Sequence, residues 1–395
     1  MNFDYHSEWL NSTKFIIFGA GNLGKWLVEI YSHYKFFQCF IDNDISKQKS
    51  GYMGYMVLSF EVYMQKYYPN NYKIILTCSE ENRQILENQM IIAGLKPNRD
   101  FLYVKDFLPF FKKNLPIFAL NICNENYMYL SQISLTERCT LKCKKCCHGC
   151  YNVPKNAKDL TLEEVKESAD YFFKNIDYVE TFYLLGGEPF LYMDLKNVII
   201  YIGENYRKQI NHCFITTNGT IIPKLDILEL LKQYNIGIQI SNYSNTISYL
   251  KPKYEKIIQL LVENKVDYLY NHNFMWEDYG FDYVDRGYFK STIDPEIRKE
   301  NLKKIFTKCK TPCREVRKNK LYYCVMARSS AENLGFNIGQ DDYLDLSKLD
   351  KTYKSKKMLT DFEMGIIPKG YLDMCNYCNG ADRSNFPIPA GEQMK

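Results

Sequence analysis

Three cysteines stand close together near the middle of this 395-residue chain, at Cys139, Cys143 and Cys146. Three residues separate the first two and two residues separate the last two, so one short loop can bring three thiolates to a single centre. Such thiolates bind an iron–sulfur cluster or a zinc ion. A cubane cluster held by only three sulfurs keeps one iron open for another molecule. Three further candidate ligands crowd the same loop, and we interpret them as neighbours: Cys147, His148 and Cys150.

A glycine-rich turn follows downstream, formed by Gly186, Gly187, Glu188 and Pro189. Paired glycines let a backbone approach a ligand closely, and proline fixes the direction of the turn. Polar segments also follow the next two predicted strands, at 216–219 (Thr-Thr-Asn-Gly) and at 239–243 (Gln-Ile-Ser-Asn-Tyr). In a sheet of parallel strands these carboxyl-terminal segments line the active face.

Together, the cysteine loop and the glycine-rich turn resemble those of the radical S-adenosylmethionine (SAM) family. The resemblance implies a [4Fe–4S] cluster on the three cysteines, with SAM on its open iron and the glycine-rich turn at the methionine amino group. It implies that SAM lies beside the following residues: Gly186, Gly187, Glu188, Pro189, Thr217, Asn218 and Ser241. One departure is Lys145, which stands where many members carry an aromatic residue.

The resemblance also implies a reaction. An electron, delivered by a protein such as flavodoxin or ferredoxin, enters the cluster, and SAM is cleaved to methionine and a 5′-deoxyadenosyl radical. This radical abstracts hydrogen from an unactivated carbon of a small-molecule substrate. In such enzymes the cofactor supplies the difficult chemistry, whereas the protein orients it and excludes water.

A second group of cysteines lies towards the end of the chain: Cys309, Cys313, Cys324, Cys375 and Cys378. A fully ligated [4Fe–4S] cluster takes four thiolates, so five cysteines supply one such cluster and not two. The pattern resembles the abbreviated SPASM, or Twitch, domain of many radical SAM enzymes. Cys309 and Cys313 compete for one ligand position, and a structural zinc site is the alternative. Asn319 stands where that domain usually has glycine, so we expect it in a left-handed conformation.

The N-terminal segment carries a different motif, Gly19, Gly21 and Gly24 between a predicted strand and a predicted helix, with Asp42 at the end of the next strand. This is the context of a dinucleotide-binding fingerprint, in which a helix N-terminus binds phosphate. It resembles Rossmann-like domains of polysaccharide-modifying proteins, some of which bind nucleotide-linked sugars. A nucleotide or nucleotide-sugar is therefore the expected ligand. The alternative is a domain that has lost its ligand and serves for docking.

Strand and helix patterns alternate along most of the chain, which predicts an α/β protein with parallel sheets. We predict three domains: a Rossmann-like domain at 1–118, a partial (βα)6 radical SAM barrel at 127–300 and a small cluster-binding domain at 301–395. The stretch 105–126 is predicted to be the first boundary. The barrel strands are predicted at 130–135, 181–185, 213–217, 237–240 and 266–270, and two of its helices at 161–173 and 226–233.

Composition argues against nucleic-acid-binding, membrane-spanning and secreted classes of protein. Lys and Arg number 51 against 46 Asp and Glu, without a dense basic tract, so we expect no nucleic-acid partner. The chain has no apolar run near the ~20 residues of a membrane helix, and its first residues do not resemble a signal peptide. We therefore expect a cytoplasmic protein without a membrane partner. In that compartment thiols stay reduced, and 14 cysteines indicate metal rather than disulfides.

These motifs support three hypotheses. The first is a radical SAM enzyme that oxidises or epimerises a sugar or nucleotide-linked molecule. The second is a peptide-modifying radical SAM enzyme, and the third is a non-catalytic iron–sulfur or zinc scaffold. A polar loop after the fifth predicted barrel strand supplies two candidates for substrate contact, Asn273 and Asp278.

Overall fold

A computed structural model describes most of the chain. The described residues are 5–68, 70–272, 274–280, 294–309, 311, 313–382 and 387–394. They form two compact units, residues 1–127 and residues 128–395. One of the two predicted substrate contacts, Asn273, lies outside the described residues.

The first unit is built on a parallel sheet. Its strands are β1 (Lys14–Phe18), β2 (Phe37–Ile41), β3 (Val57–Leu58), β4 (Tyr72–Leu76) and β5 (Phe101–Tyr103). Its helices are α1 (Tyr5–Leu10), α2 (Asn22–Ile30), α3 (Ile45–Ser50), α4 (Phe60–Tyr67), α5 (Glu80–Ile92), α6 (Val104–Lys113) and α7 (Leu115–Phe118). The strand order is β3-β2-β1-β4-β5 and each neighbouring pair is parallel. In such a sheet ligands bind at the carboxyl ends of the strands where the order reverses, here between β1 and β4.

The predicted boundary at 105–126 is not an extended linker. Residues of α6 and α7 and a π-helical turn at Ala119–Cys123 occupy it. Pro109, within this predicted boundary, lies inside α6. The helix persists because Phe107 and Phe111 are fully buried in the core of the unit, and this burial outweighs one lost backbone hydrogen bond.

The second unit contains the cysteine-bearing segments. Its strands are β6 (Tyr127–Thr136), β7 (Tyr178–Gly186), β8 (Ile210–Thr217), β9 (Gly237–Ser241), β10 (Tyr268–Asn271), β11 (Met275–Glu277), β12 (Arg314–Arg317), β13 (Lys320–Tyr322), β14 (Tyr343–Asp345) and β15 (Pro387–Pro389). Its helices are α8 (Leu162–Asn175), α9 (Leu195–Asn205), α10 (Leu225–Gln233), α11 (Lys251–Asn264), α12 (Pro295–Lys308), α13 (Ala331–Leu334) and α14 (Tyr353–Glu363). The five predicted barrel strands correspond to β6–β10, with boundaries that differ by up to three residues.

One sheet runs through this unit in the order β10-β9-β8-β7-β6-β12-β13-β14. The pairs β7–β8, β8–β9 and β9–β10 are parallel, and β12 is parallel to β6. Strands β12, β13 and β14 are antiparallel to one another. The segment beyond residue 301 therefore extends the same sheet as the preceding segment, and β11 and β15 form a separate antiparallel pair.

Local sequence accounts for the helices that position the site. Thr161 caps α8 and forms a capping box with Glu164, as its pattern predicts. The buried face of α8 includes Val165, Ala169 and Phe172, spaced for one side of a helix that packs on the sheet. No helix in the described residues has both the length and the apolar character needed to cross a bilayer.

The turn between β12 and β13 differs from its prediction. The left-handed residue is Lys318, with φ of 53°, and not Asn319. The Asn319 side chain instead donates a hydrogen bond to the Asp345 carboxylate at 2.7 Å. This side-chain contact to β14 explains the asparagine better than a backbone requirement does.

Candidate functional site

The three cysteines of the loop after β6 surround a cavity of about 220 Å³. The carboxyl ends of β7, β8 and β9 contribute the other walls. Among the predicted cofactor contacts, those on the cavity surface are Gly186, Gly187, Thr217, Asn218 and Ser241. The sheet thus brings together residues that are far apart in the chain, as the parallel strand pattern predicts.

The glycine-rich turn packs directly on the cysteine loop. The Gly187 N–H donates to the Thr136 carbonyl at 2.8 Å, and the Glu188 N–H donates to the Arg138 carbonyl at 2.9 Å. A Cβ atom on Gly187 would lie 2.2 Å from the Arg138 oxygen and 2.9 Å from the Cys139 Cβ. Glycine is therefore required here for close approach to the thiol-bearing loop, in addition to any approach to a ligand.

Glu188 and Pro189, the last two residues of the turn, are buried and do not line the cavity. The Glu188 carboxylate accepts hydrogen bonds from the Thr217 hydroxyl at 2.9 and 3.0 Å and from the Asn218 N–H at 2.9 Å. Burial raises the pKa of Glu188 to about 7 although these hydrogen bonds lower it. Its carboxylate joins the ends of β7 and β8, so it positions the site rather than lining it.

Tyr254 joins the ends of β8 and β9 in the same way. Its hydroxyl donates to the carbonyls of Asn218, at 3.2 Å, and Ser241, at 3.1 Å, and accepts from the Tyr243 N–H at 3.1 Å. The Asn218 side chain in turn donates to Thr140 Oγ1 at 3.1 Å and approaches the Cys139 sulfur at 3.5 Å. The polar segments after β8 and β9 are therefore tied to each other and to the cysteine loop.

The thiols of the loop differ in their electrostatic surroundings. Burial raises the pKa of Cys139 and of Cys143 to about 12. A hydrogen bond from the Cys150 thiol lowers the pKa of Cys146, and His148 contributes in the same direction. Deprotonating the first two thiols is costly in this apolar environment unless a cationic group is bound between them. Three thiols around one cavity, of which Cys143 is buried and Cys139 and Cys146 are partly buried, fit an iron–sulfur cluster.

Buried ion pairs anchor the start of the loop. The Arg328 guanidinium binds the carboxylates of Glu137 and Glu315, and neither Arg328 nor Glu315 is exposed. Burial alone would raise the pKa of Glu137, but Arg328, Asn333 and His148 together lower it. Asn333 also donates to the His148 carbonyl at 2.7 Å, and Ser330 donates to the Cys147 carbonyl at 2.6 Å. The segment after Cys324 therefore holds the cysteine loop at several points.

Among the five cysteines of the second group, Cys313 differs from the other four in the thiols that it influences. Besides burial, the neighbouring thiol of Cys309 raises the pKa of each of the other three members: Cys324, Cys375 and Cys378. The Cys313 thiol instead raises the pKa of Cys147, which lines the cavity described above. A Cβ on Gly380 would lie 3.7 Å from the Cys309 Cβ, and the Gly380 N–H donates to Cys378, so Cys309 is a better candidate than Cys313 for a ligand beside Cys378.

Backbone N–H groups point at three of these four sulfurs. Ala381 donates to Cys309 at 3.3 Å, Gly380 to Cys378 at 3.3 Å, and Ala327 to Cys324 at 3.4 Å. Such N–H···S contacts are typical of thiolates that bind a cluster. Among the described residues, no group of three or more His, Cys, Asp and Glu side chains is arranged to hold a metal ion. The first thiol group lines a cavity, and the second is marked by the N–H donors beside its sulfurs.

Sequence reasoning assigned no part of the cavity wall to Trp276 or Tyr279, and both line it. Lys145 and Tyr243, which belong to segments that the sequence analysis placed at the site, line it as well. The rings of Tyr243 and Trp276 meet edge to face with centroids 5.4 Å apart. The aromatic residues near the predicted substrate loop were the available signal, since a large buried ring beside a polar loop is common in ligand pockets.

Asp278, the other predicted substrate contact, is engaged within the protein. It forms an ion pair with Lys145 at 3.4 Å, and its Oδ1 accepts the Gly280 N–H at 2.9 Å. Lys145 also donates to the Gly280 carbonyl at 2.7 Å. Because Gly280 pairs with Cys378, these contacts connect the cysteine loop to the second thiol group.

The first unit has its own cavity, of about 620 Å³, at the carboxyl ends of β1 and β4. Of the predicted residues, Gly19, Gly21 and Asp42 line it. Gly24 lies beneath the loop, where a Cβ would be 2.4 Å from the Gly19 carbonyl oxygen. Asp42 accepts a hydrogen bond from the Ala20 N–H at 2.7 Å, and Lys47 lies 3.4 Å from the same carboxylate.

Comparisons with known proteins agree with this geometry in the second unit. A family model for the radical SAM superfamily matches residues 133–270. Molybdenum cofactor biosynthesis protein 1 of Drosophila melanogaster is 32% identical over 149 residues, which is 37% of this chain and 24% of that protein. The GTP 3′,8-cyclase of Aquifex aeolicus is 38% identical over 95 residues, 24% of this chain and 28% of the cyclase. The chain thus matches about a quarter of the length of these relatives.

Solved structures are also similar. BtrN in complex with AdoMet and 2-DOIA has a TM-score of 0.37 and 18% identity, covering 67% of this chain and 100% of BtrN. The structure of anSMEcpe with bound AdoMet has a TM-score of 0.29 and 19% identity, covering 36% of this chain and 43% of that one. Streptococcus suis SuiB bound to precursor peptide SuiA has a TM-score of 0.25 and 16% identity, covering 53% and 52%. Residues 133–270 of this chain thus match the radical SAM superfamily, and the cysteine motif at 139–146 lies within that match.

Proposed function

We propose that this protein is an enzyme that binds a [4Fe–4S] cluster at Cys139, Cys143 and Cys146 and cleaves SAM reductively. The observation that carries the proposal is the cavity that these three thiols share with the glycine-rich turn and with Ser241. Three sulfur ligands leave one iron of a cubane without a protein ligand, which suits chelation of SAM. When bound, cluster and SAM together supply a 5′-deoxyadenosyl radical that removes a hydrogen atom from a substrate carbon.

The residues of the chain provide position and insulation for that chemistry. The Gly186 and Gly187 backbone forms the wall that would hold the amino acid part of SAM. The lack of side chains there lets the turn pack closely on the cysteine loop. Thr217, Asn218 and Ser241 present polar groups on the opposite walls. Tyr243 and Trp276 cover the cavity with aromatic rings and reduce the access of water.

We further propose that Cys309, Cys324, Cys375 and Cys378 hold an auxiliary [4Fe–4S] cluster. The grouping of these four thiols and the N–H donors beside them support this assignment. Such a cluster offers an acceptor for one electron from a substrate radical. If that radical also loses a proton, the net reaction is a two-electron oxidation. If it instead keeps its electron and takes a hydrogen atom from a donor on the opposite face, the result is an epimerisation.

For the substrate we propose a sugar or nucleotide-linked small molecule. The glycine loop, Asp42 and the 620 Å³ cavity of the first unit support a nucleotide-type ligand, because a helix N-terminus and open backbone N–H groups bind phosphate. The five-stranded parallel sheet with its order reversal beside this cavity is the arrangement of Rossmann-like nucleotide-binding domains. An electron donor such as flavodoxin or ferredoxin completes the proposed system.

Anaerobic iron and sulfide analysis tests the cluster assignment. We expect about eight irons in the wild type and about four in the triple variant Cys139→Ala/Cys143→Ala/Cys146→Ala, because each cubane holds four. The wild type should form 5′-deoxyadenosine from SAM under a strong reductant, and the triple variant should form none. Full iron content with continued 5′-deoxyadenosine formation in the variant would refute the site.

The substrate class is tested with the full-length, cluster-loaded protein. Nucleotide-sugars and peptides should be compared for their ability to raise 5′-deoxyadenosine formation above the rate without substrate. We expect stimulation by a nucleotide-sugar, and we expect Gly19→Val to weaken it, because a side chain at Gly19 would meet the Thr77 carbonyl oxygen at 2.4 Å. Stimulation by peptides alone would favour a peptide-modifying enzyme instead.

A further inference from the structure

A short segment beyond the second thiol group crosses the walls of the SAM cavity. We call residues 387–394 the strap. It begins with β15, which pairs with β11, so that Ile388 stands opposite Trp276. Its middle packs on the loop after β9, where the Thr246 hydroxyl donates to the Ala390 carbonyl at 2.6 Å. The strap therefore contacts two segments whose aromatic residues cover the cavity, Trp276 and Tyr243.

Gly391 makes the second contact possible. Its φ is 74°, in the left-handed region, and a Cβ there would lie 2.7 Å from the Tyr243 ring. A glycine lets the strap turn across the face of this ring at van der Waals distance. The conformation directs the next residues towards the cysteine loop.

The far end of the strap pairs with the cysteine loop in an antiparallel bridge between Cys143 and Gln393. The Lys144 N–H donates to the Glu392 carbonyl at 2.6 Å, and the Met394 N–H donates to the Lys142 carbonyl at 2.8 Å. These main-chain contacts hold the loop at the residues on either side of Cys143. The strap thus joins three walls of one cavity.

The Gln393 side chain adds a contact to the sulfur itself. Its Nε2 lies 3.2 Å from the Cys143 Sγ and 2.7 Å from the Gly391 carbonyl oxygen. Its Oε1 accepts the Lys142 N–H at 2.8 Å. The orientation of the amide is determined by these neighbours, because a backbone N–H needs the oxygen and a backbone carbonyl needs the nitrogen. The NH₂ group must therefore face the sulfur.

We propose that Gln393 is a positioning residue of the radical SAM site, and that its N–H···S hydrogen bond to Cys143 raises the reduction potential of the cluster. This inference rests on the proposed function, since Cys143 must be a cluster ligand. A donor to a ligand sulfur stabilises the more negative, reduced cluster, and hydrogen bonds to the sulfurs are among the factors that set cluster potentials.

The test uses the cluster-loaded full chain and a redox titration followed by electron paramagnetic resonance. The signal of the SAM-binding cluster is identified by its change when SAM is added. Gln393→Leu removes the donor without adding charge, and Gln393→Glu replaces the donor with a carboxylate oxygen. For both variants we expect the ratio of reduced to oxidised cluster at a fixed potential to fall about tenfold, which corresponds to about 59 mV for a one-electron couple.

Glu392→Gln is the matched control. It removes the ion pair with Lys144 but keeps the Glu392 carbonyl that pairs with the loop, so the potential should stay at the wild-type value. Loss of about four irons confined to the Gln393 variants also supports the inference, because the amide then holds Cys143 for cluster assembly. Wild-type potential and iron content in both Gln393 variants would overturn it. Absence of a SAM-responsive cluster from the wild type would instead refute the proposed function.

Discussion

The Thr217 hydroxyl donates to the Glu188 carboxylate at 2.9 Å, inside a region where Glu188 has no exposed surface. This contact joins the glycine-rich turn after β7 to the polar segment after β8. Glu188 therefore does not line the cavity itself. It affects the cavity by holding Thr217 and Asn218, which do line it. The relationship also makes the stability of the second unit depend on pH.

We expect the free energy of unfolding to fall as pH rises from about 4.5 to about 7 on account of Glu188. Burial raises the pKa of Glu188 to about 7 in the folded protein, so the folded state binds its proton more tightly than the unfolded state does. The stabilising contribution is fully present below the unfolded pKa and is lost as pH rises through the folded pKa. Urea denaturation of the cluster-free chain at several pH values measures this slope.

Glu188→Gln should remove that part of the pH dependence, because the amide does not titrate. At low pH, where Glu188 is protonated, the variant should stay within about 1 kcal/mol of the wild type, since the amide NH₂ takes the place of the carboxyl O–H. Glu229→Gln, at an exposed position on α10, serves as the control and should keep the wild-type slope. An unchanged slope in Glu188→Gln would contradict the assignment.

The buried ion pairs of Arg328 give a second prediction. Arg328→Met should destabilise the second unit by about 3–5 kcal/mol, because it leaves the Glu315 carboxylate buried without its cation and Glu137 with less compensation. The double variant Arg328→Met/Glu315→Leu should recover part of this loss, since the uncompensated charge is gone. Chemical denaturation of the cluster-free protein measures both. A double variant that is no more stable than Arg328→Met would argue against the charge explanation.

Gly187 gives a third prediction, about cluster assembly. Gly187→Ala should lower the iron content by about four per chain, because the new methyl group would lie 2.2 Å from the Arg138 carbonyl oxygen and displace the loop that carries Cys139. Gly94→Ala is the comparison, since open space surrounds Gly94 and its φ of 88° adds only backbone strain of about 1 kcal/mol. Iron analysis distinguishes the two. Full iron content in Gly187→Ala would show that the turn can move without harm to the loop.

Much of this arrangement is readable from local sequence. The capping box at Thr161 and the positions of strands β6–β10 depend on short-range patterns, and the structure bears out these elements. Asn319 shows where such reasoning fails. The pattern indicated a left-handed asparagine, whereas the turn places Lys318 in that conformation and uses the Asn319 side chain to reach β14. A local propensity was overridden by a contact that only the folded sheet creates.

Other features depend on contacts between distant segments. Gln393 reaches Cys143 across 250 residues of sequence, and no local pattern indicates that pairing. The same is true of Arg328, whose partner Glu137 belongs to another strand end. These residues have ordinary neighbours in sequence, so their roles follow from the way in which the later strands extend the sheet.

The choice between Cys309 and Cys313 also depends on contacts between distant segments, and it gives the last prediction. Both follow the same helix, α12, and spacing does not separate them. In the folded protein the Cys309 thiol raises the pKa of Cys378, and its sulfur accepts the Ala381 N–H at 3.3 Å. The Cys313 thiol instead raises the pKa of Cys147. Cys309→Ala should therefore lower the iron content from about eight to about four, and Cys313→Ala should leave it near eight. Iron and sulfide analysis of both variants, prepared in parallel without oxygen, checks this expectation. The reverse pattern would make Cys313 the ligand, and full iron in both variants would mean that neither thiol is required for the cluster.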